Sequence, residues 1–181
     1  MTKQIAVFIG SASKTSFNHL AVKHLQKIAP SSIALNVVDI SDLPLYDRDL
    51  DEQDVPAYTR VREAVKASDA VIWVTPEHNG SYSAMLKNAI DVVSRPVGQS
   101  LWIGKPLGLI SVNAGGSNRA VDALRTVAAG AYINMPVAPF AASVGGIFAG
   151  AFDESGELVS EQAKTTLQGF IDAYAEFVAK F

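Results

Sequence analysis

The sequence contains no cysteine. A chain without cysteine forms no disulfide, carries no thiolate nucleophile and offers no cysteine ligand to a metal. Its three histidines, His19, His24 and His78, do not stand at a spacing typical of metal ligands. Any redox chemistry in this protein therefore requires an imported cofactor, and the lack of cysteine agrees with a reducing cytoplasm.

Charge and long hydrophobic runs are scarce as well. Charged residues make up 18% of the chain and the formal net charge is −3, so no basic field attracts nucleic acid or a membrane surface. No apolar run approaches the roughly 18 residues of a transmembrane helix. The run Ile5–Ile9 near the N-terminus is too short for a signal peptide. These features predict a cytoplasmic protein with no nucleic-acid and no membrane partner.

Apolar residues, by contrast, are plentiful, at 49% of the 181 residues. Since domains usually contain about 100–200 residues, we expect residues 1–181 to form one domain. A chain of this size buries roughly 70% of its unfolded surface, which is enough for a sizeable core.

Short apolar runs rich in β-branched residues alternate with segments of helical periodicity. Strands are predicted at Ile5–Ile9, Ile33–Val38, Ala70–Val74, Pro106–Val112 and near Tyr132–Val137. Helices are predicted from Phe17 to Pro30, from Pro56 to about Ala67, from Ser83 to about Ser94, from about Asn118 to Ala129, and over Ala163–Phe181. This alternation predicts an α/β fold, a flavodoxin-like three-layer sandwich around a five-stranded parallel sheet of order 2-1-3-4-5.

In such folds ligands bind beyond the carboxyl ends of the strands, near the switch point between strands 1 and 3. The loop after Ile9 is rich in hydroxyl groups, contains Lys14 and leads directly into a helix. This pattern is typical of a phosphate cradle, and equally of a hydroxyl-capped helix start. The glycine patterns of nucleotide P-loops and of dinucleotide-binding folds are absent, so tightly held NAD is disfavoured.

The loops after the third and fourth strands also have the character of ligand-binding loops. Pro76 stiffens the exit from the third strand, and Asn79-Gly80 is a strong turn signal. The backbone of such a turn can bind the edge of a flat heteroaromatic ring, and His78 either contacts the ring or faces solvent. After the fourth strand, Gly115-Gly116 lets the backbone approach a ligand closely or simply forms a tight turn.

Three segments resemble the NAD(P)H-dependent FMN reductase family, and in particular its bacterial chromate and quinone reductases. They are Gly10-Ser11-x-Ser13-x-x-Ser16-Phe17-Asn18, Pro76-Glu77-His78-Asn79 and Leu86-Lys87-Asn88-Ala89-Ile90-Asp91. The resemblance extends to Asp42–Tyr46 and Phe152–Leu158, and so covers essentially the whole chain.

The resemblance implies a flavodoxin-like protein that binds FMN non-covalently, uses NADPH or NADH as co-substrate, and forms homodimers or homotetramers with the flavin near a subunit interface. The FMN phosphate and ribityl chain would be held by Ser11, Ser13, Lys14, Ser16, Phe17 and Asn18. The isoalloxazine ring would be lined by Pro76, Glu77, His78, Asn79 and Gly80, and closed on its other side by Asn113, Gly115 and Gly116.

The chain departs from the family pattern at positions that touch the expected flavin site. Ser13 stands where the family usually has arginine, which leaves Lys14 as the only cation of the phosphate loop. His78 replaces the usual tyrosine, Ser83-Ala84 replaces Pro-Gly, and the loop after the fourth strand is short.

The function implied is transfer of hydride from reduced nicotinamide through FMN to quinones or other small acceptors. The flavin would supply the chemistry, so we name no catalytic acid, base or nucleophile. One alternative is a flavodoxin-type electron carrier, which the modest net charge and the lack of aromatic residues in Asn113–Ser117 disfavour. Another is a flavin-free binding or scaffold protein.

The candidates to contact the 2′-phosphate of NADPH are Arg95, Arg119 and Arg125, although each is better explained as a surface or interface residue.

Overall fold

The computed structural model describes all 181 residues. Its strands are β1 (Lys3–Ile9), β2 (Ile33–Val38), β3 (Ala70–Thr75), β4 (Leu107–Val112) and β5 (Ala142–Val144). Its α-helices are α1 (Phe17–Ile28), α2 (Pro56–Lys66), α3 (Ala84–Val93), α4 (Arg119–Ala128) and α5 (Glu161–Val178), and a short 3₁₀ helix covers Arg48–Leu50. None of the helices combines the length and apolar character needed to cross a membrane.

The strands form one parallel sheet in the order β2-β1-β3-β4-β5, which confirms the predicted class and strand order. Both faces are covered. Ile5, Val7 and Ile9 point into a core shared with α1 and α5, whereas Ala6 and Phe8 point into a second core shared with α2, α3 and α4. Burial on both faces explains why the strands are continuous apolar runs rather than alternating ones.

The position predicted for the fifth strand is wrong. The segment Tyr132–Val137 makes only an isolated bridge, between Val137 and Leu107, and β5 lies later in the chain. Asn134 has a φ of 42°, and Pro136 has no N–H to donate to a sheet. The apolar residues that suggested a strand are nevertheless buried, because Ile133 and Met135 pack in the core under α4.

Two stacked aromatic rings hold α5 on the sheet. The rings of Phe170 and Tyr174 are nearly parallel, with centroids 5.6 Å apart, and the Tyr174 hydroxyl donates a 2.7 Å hydrogen bond to the carbonyl of Val71. Burial raises the pKa of Tyr174 above its usual range. Both rings fit over Gly108 in β4, where a Cβ atom would lie 2.8 Å from Tyr174 and 2.9 Å from Phe170.

This contact predicts the effect of Gly108→Ala. The added methyl group overlaps two confined rings, and overpacking of this kind costs about 1–3 kcal/mol. We expect urea unfolding to show that loss. Gly169→Ala is the matched control, because Gly169 lies in α5 and a Cβ there meets nothing within 4 Å apart from the backbone of its own helix. It should stabilise the protein by about 0.4–1 kcal/mol. Equal effects of the two variants would contradict this packing.

Candidate functional site

Three loops leave the sheet side by side at its carboxyl edge. Ile9 is in register with Val74, and Thr75 with Ser111, so β1, β3 and β4 end at nearly the same level. We term the connections that follow them the first loop (residues 10–16), the second loop (76–82) and the third loop (113–118). The space between them is termed the crevice.

The first loop ends in a capped helix. Ser16 is the N-cap of α1, and its Oγ accepts a 3.4 Å hydrogen bond from the His19 N–H. Ser13 is exposed, and its Oγ accepts from the Thr15 N–H at 3.3 Å, which leaves its own O–H free to donate. Lys14 is exposed and has no ion-pair partner. The loop therefore presents hydroxyl donors and one free cation.

Two predicted site residues, Phe17 and Asn18, lie in the first turn of α1 and have different roles. The ring of Phe17 packs against Phe148 and Phe152, with centroids 5.8 and 5.4 Å away, so it contributes mainly to packing. Asn18 is only 4% exposed, and its Oδ1 is buried without a hydrogen-bond partner. The backbone N–H groups of both residues are also unpaired within the protein. A buried acceptor without a donor is costly unless a ligand or water completes it.

Contacts that are long-range in sequence fix the shape of the first loop. The Gly10 N–H donates to the Val74 carbonyl at 2.8 Å. A Cβ at Gly10 would collide with Ser83 Oγ and lie 2.9 Å from Leu86 Cβ, so only glycine lets the loop lie against the start of α3. His19 Nε2 lies 3.0 Å from the Ser11 carbonyl oxygen, a bond that the sequence did not reveal.

A cavity of about 260 Å³ separates the first loop from the end of β2. Asp39 lines it, and the pKa of Asp39 is lowered chiefly because the Ser41 backbone N–H and then the Ser41 hydroxyl donate hydrogen bonds to its carboxylate. Both hydrogen bonds reach the same carboxylate oxygen, Asp39 Oδ1, from a residue in the same loop after β2. These two bonds are typical of an acid that shapes its own loop.

The second loop is a tight hairpin turn. His78 and Ser81 exchange backbone hydrogen bonds of 2.8 and 3.0 Å, and the central residues Asn79 and Gly80 both have positive φ, 52° and 77°. This is the geometry that favours an Asn-Gly pair. His78 and Asn79 are exposed at the tip and Gly80 is half-buried. The turn predicted from Asn79-Gly80 is confirmed.

The base of the second loop is held by a buried hydroxyl. Thr75 is fully buried; its Oγ1 accepts from the Ser83 N–H at 3.1 Å and donates to the Pro76 carbonyl at 2.8 Å. Ser83 is the N-cap of α3, as predicted, and accepts from the Leu86 N–H. Pro76 and Glu77 are half-buried between these anchors, and Glu77 Oε2 is buried without a partner.

The third loop is organised around one side chain. Asn113 donates to the Ser111 hydroxyl and to the Ser117 carbonyl, and its Oδ1 accepts from the N–H groups of Gly115 and Ser117. These four bonds use the whole capacity of the amide group. Asn113 therefore shapes the loop and has no polar atom left for a ligand, so a ligand would meet the backbone of Gly115 and Gly116 instead.

Beyond the third loop the connection after β5 closes the other flank of the crevice. A Cβ at Gly145 would lie 2.7 Å from the Gly116 nitrogen, so the two backbones touch directly. The Gly146 N–H also donates to the Ala114 carbonyl at 2.9 Å. A cavity of about 510 Å³ lies here, between these glycines and the first turn of α5. In the sequence, the signal for this contact is the pair Gly145-Gly146 directly after the short apolar run of β5.

Taken together, the three loops suit an elongated polar ligand. One end of the crevice offers hydroxyl donors, unpaired N–H groups and Lys14, which suit an anion. The start of α1 and the second loop also contain two buried acceptors without donors, Asn18 Oδ1 and Glu77 Oε2. The predicted residues are thus brought to one edge of the sheet, although Phe17 and Asn113 serve packing and loop shape with their side chains.

The chain matches the family model described as NADPH-dependent FMN reductase over residues 4–149. A quinone reductase from Pseudomonas putida is 43% identical over 180 residues, which are 96% of this chain and 94% of that protein. A 2-hydroxy-1,4-benzoquinone reductase from a Burkholderia species is 36% identical over 179 residues, which are 98% of this chain and 97% of that protein.

A solved structure agrees with these sequence matches. FerB, described as a flavoenzyme NAD(P)H:(acceptor) oxidoreductase from Paracoccus denitrificans, superposes with a TM-score of 0.88 at 35% identity. The superposition covers 99% of this chain and 98% of that one. Similarity in sequence and in structure thus extends over all three loops.

The Thr75 anchor predicts how the second loop responds to mutation. Thr75→Val keeps the shape of the side chain but leaves the buried Ser83 N–H without an acceptor, at a cost of about 1–3 kcal/mol. Thr75→Ser is the control because it keeps the hydroxyl, and it should lose less. Denaturant unfolding measures the stability, and hydrogen exchange at the Ser83 amide reports the local bond. Equal losses, or unchanged exchange in Thr75→Val, would contradict this role.

Proposed function

The chain belongs to the NADPH-dependent FMN reductase family, and on this premise we propose that it is an NAD(P)H oxidoreductase that holds FMN in the crevice and reduces quinones or similar small acceptors. The proposed acceptor rests on relatives that are named quinone reductases. A cytoplasmic location and a homodimeric or homotetrameric state stay predictions of the sequence.

One observation carries the assignment of the crevice to FMN: the unpaired groups of its loops match the donors and acceptors of the cofactor. The unpaired N–H groups at the start of α1, with Ser13 and Lys14, suit the phosphate. Asn18 Oδ1, a buried acceptor, suits a ribityl hydroxyl donor. Glu77 Oε2, also a buried acceptor, suits an N–H group on the edge of the flavin ring.

Bound FMN would supply the hydride chemistry, accepting a hydride from reduced nicotinamide and passing electrons to the acceptor. The protein's part is binding, orientation and exclusion of water. The first loop would fix the phosphate, and the rigid turn at His78–Ser81 and the backbone of Gly115-Gly116 would lie on either side of the ring. The stiffness of these loops keeps their donors and acceptors in place before the cofactor binds.

We expect the departures at positions 13 and 78 to change the strength of the site rather than its layout. Ser13 provides a neutral hydroxyl where an arginine would provide a charged, two-pronged donor. The exposed His78 presents a smaller ring than tyrosine at the tip of the second loop. We therefore expect FMN binding that is real but weaker than with an arginine at position 13.

Purification gives the first test of the function. The protein should be yellow, or become yellow when FMN is added, with an absorbance band in the blue. Under anaerobic conditions NADPH or NADH should bleach that band and a benzoquinone should restore it. A colourless protein that takes up no FMN would support the flavin-free alternative. A flavin that neither nucleotide bleaches would support the electron carrier.

Ser13→Arg tests where the phosphate lies. An added charge-assisted hydrogen bond is worth about 1.5–3 kcal/mol, so the FMN dissociation constant should fall roughly 10-fold to 100-fold. Riboflavin, which has no phosphate, should bind as before. Quenching of flavin fluorescence measures both constants. Ser31→Arg adds the same charge before β2, at the opposite edge of the sheet, and should change neither. Tighter riboflavin binding, or unchanged FMN binding, would count against this placement.

A further inference from the structure

Arg119 is a cation at the rim of the crevice that the protein itself leaves unpaired. It is the first residue of α4, directly after the third loop, and it is exposed. Its side chain makes no hydrogen bond and forms no salt bridge. The five N–H donors of its guanidinium are therefore available to a ligand.

The side chain of Arg119 lies across the gap between the second and third loops. Its Cδ lies 3.7 Å from the place where a Cβ would stand at Gly80. Because Gly80 belongs to the rigid His78–Ser81 turn, the aliphatic stem rests on a fixed surface. The guanidinium begins at the next atom, so it stays beside the tip of the second loop.

The other two arginines that the sequence offered are occupied elsewhere. Arg125 donates to the Ala138 carbonyl at 2.9 Å. Arg95 lies between the rings of Tyr46 and Tyr132, whose centroids are 5.7 and 5.6 Å from its Cζ. The cavities that Arg95 lines contain no residue of the three loops. Of these three arginines, only Arg119 reaches the crevice.

The position of Arg119 is electrostatically unfavourable in the protein alone. A cation at a helix N-terminus is repelled by the positive end of the helix dipole. Asp122, in the same first turn, is not within salt-bridge distance of it. Lys14, on the first loop, is likewise unpaired, so the crevice carries two free cations although the net charge of the chain is −3. An anionic group of a ligand would relieve this excess.

We propose that Arg119 binds a phosphate group of the reduced nicotinamide dinucleotide. The proposal rests on the proposed function, in which Lys14 and the first loop hold the cofactor's own phosphate. Arg119 is then the cation left for a second, exchanging ligand. A guanidinium pairs with phosphate oxygens through parallel hydrogen bonds. The phosphate is either the pyrophosphate, present in NADH and NADPH alike, or the 2′-phosphate, present in NADPH only.

The test compares donors with and without phosphate in Arg119→Ala and Arg119→Lys. Anaerobic bleaching of the flavin is followed with NADPH, NADH and 1-benzyl-1,4-dihydronicotinamide, which has the ring but no phosphate. In Arg119→Ala the second-order rate constant with the dinucleotides should fall about tenfold or more. The rate constant with the benzyl compound should not change. Arg119→Lys should lose less, because it keeps the charge without the paired geometry.

The pattern of loss identifies the phosphate. Loss with both dinucleotides assigns the pyrophosphate, and loss with NADPH alone assigns the 2′-phosphate. Lys180→Ala is the charge-matched control. Lys180 is exposed and follows α5, whose Tyr174 meets Val71 and Pro106 at the starts of β3 and β4, so it lies at the opposite edge of the sheet. This control should behave like the wild type with all three donors.

Two readouts do not depend on turnover. Calorimetric titration of the flavin-loaded protein with NADP⁺ and NAD⁺ should show weaker binding in Arg119→Ala. The melting temperature of the flavin-free protein should stay the same or rise, because an unfavourable cation is removed.

Equal loss with the phosphate-free donor, or no loss with either dinucleotide, would overturn the proposal. If wild-type flavin is bleached by none of the donors, the proposed function fails. The titration then decides separately whether Arg119 binds a dinucleotide.

Discussion

The parallel register of β1, β3 and β4 is the constraint on which the rest of this structure depends. Parallel strands place all their carboxyl ends at one edge, and here Ile9, Val74 and Ser111 end at nearly the same level. The connections that must leave the sheet there are therefore neighbours, whatever their separation in sequence. Burial of both faces holds the register in place, since a shift by one residue would exchange the residues of the two cores.

Within the crevice, most polar groups are used to stiffen the loops, and a few are left for a ligand. The side-chain amide of Asn113 makes all four of its hydrogen bonds within β4 and the third loop. The hydroxyl of Thr75 makes its two hydrogen bonds at the base of the second loop. The groups that remain without partners are two buried oxygens, Asn18 Oδ1 and Glu77 Oε2, and the exposed guanidinium of Arg119. Rigid loops with a few unsatisfied groups are what a cofactor-dependent protein needs, because the cofactor carries the chemistry and the protein supplies position and charge.

Much of the fold follows from local patterns. Continuous apolar runs predicted β1 to β4, and helical periodicity with capping residues such as Ser83 predicted the five helices. The fifth strand was misplaced because the apolar content of Tyr132–Val137 comes from residues buried under α4, whereas β5 has only three residues and leaves a weak signal. The predicted stripe of the last helix was also too long, since α5 ends at Val178 and Phe181 is 57% exposed.

The sequence by itself therefore determined the layers, the strand order and the three candidate ligand-binding loops. The signals responsible are the spacing of apolar residues, glycine-containing turns and hydroxyl helix caps, and each depends only on a few neighbouring residues. Only the tertiary structure decided which groups in those loops are still unpaired. The need for glycine at position 10 against α3 and the placement of Arg119 on Gly80 both depend on contacts between separate elements. Such contacts exist only once the sheet has set the distances between its loops.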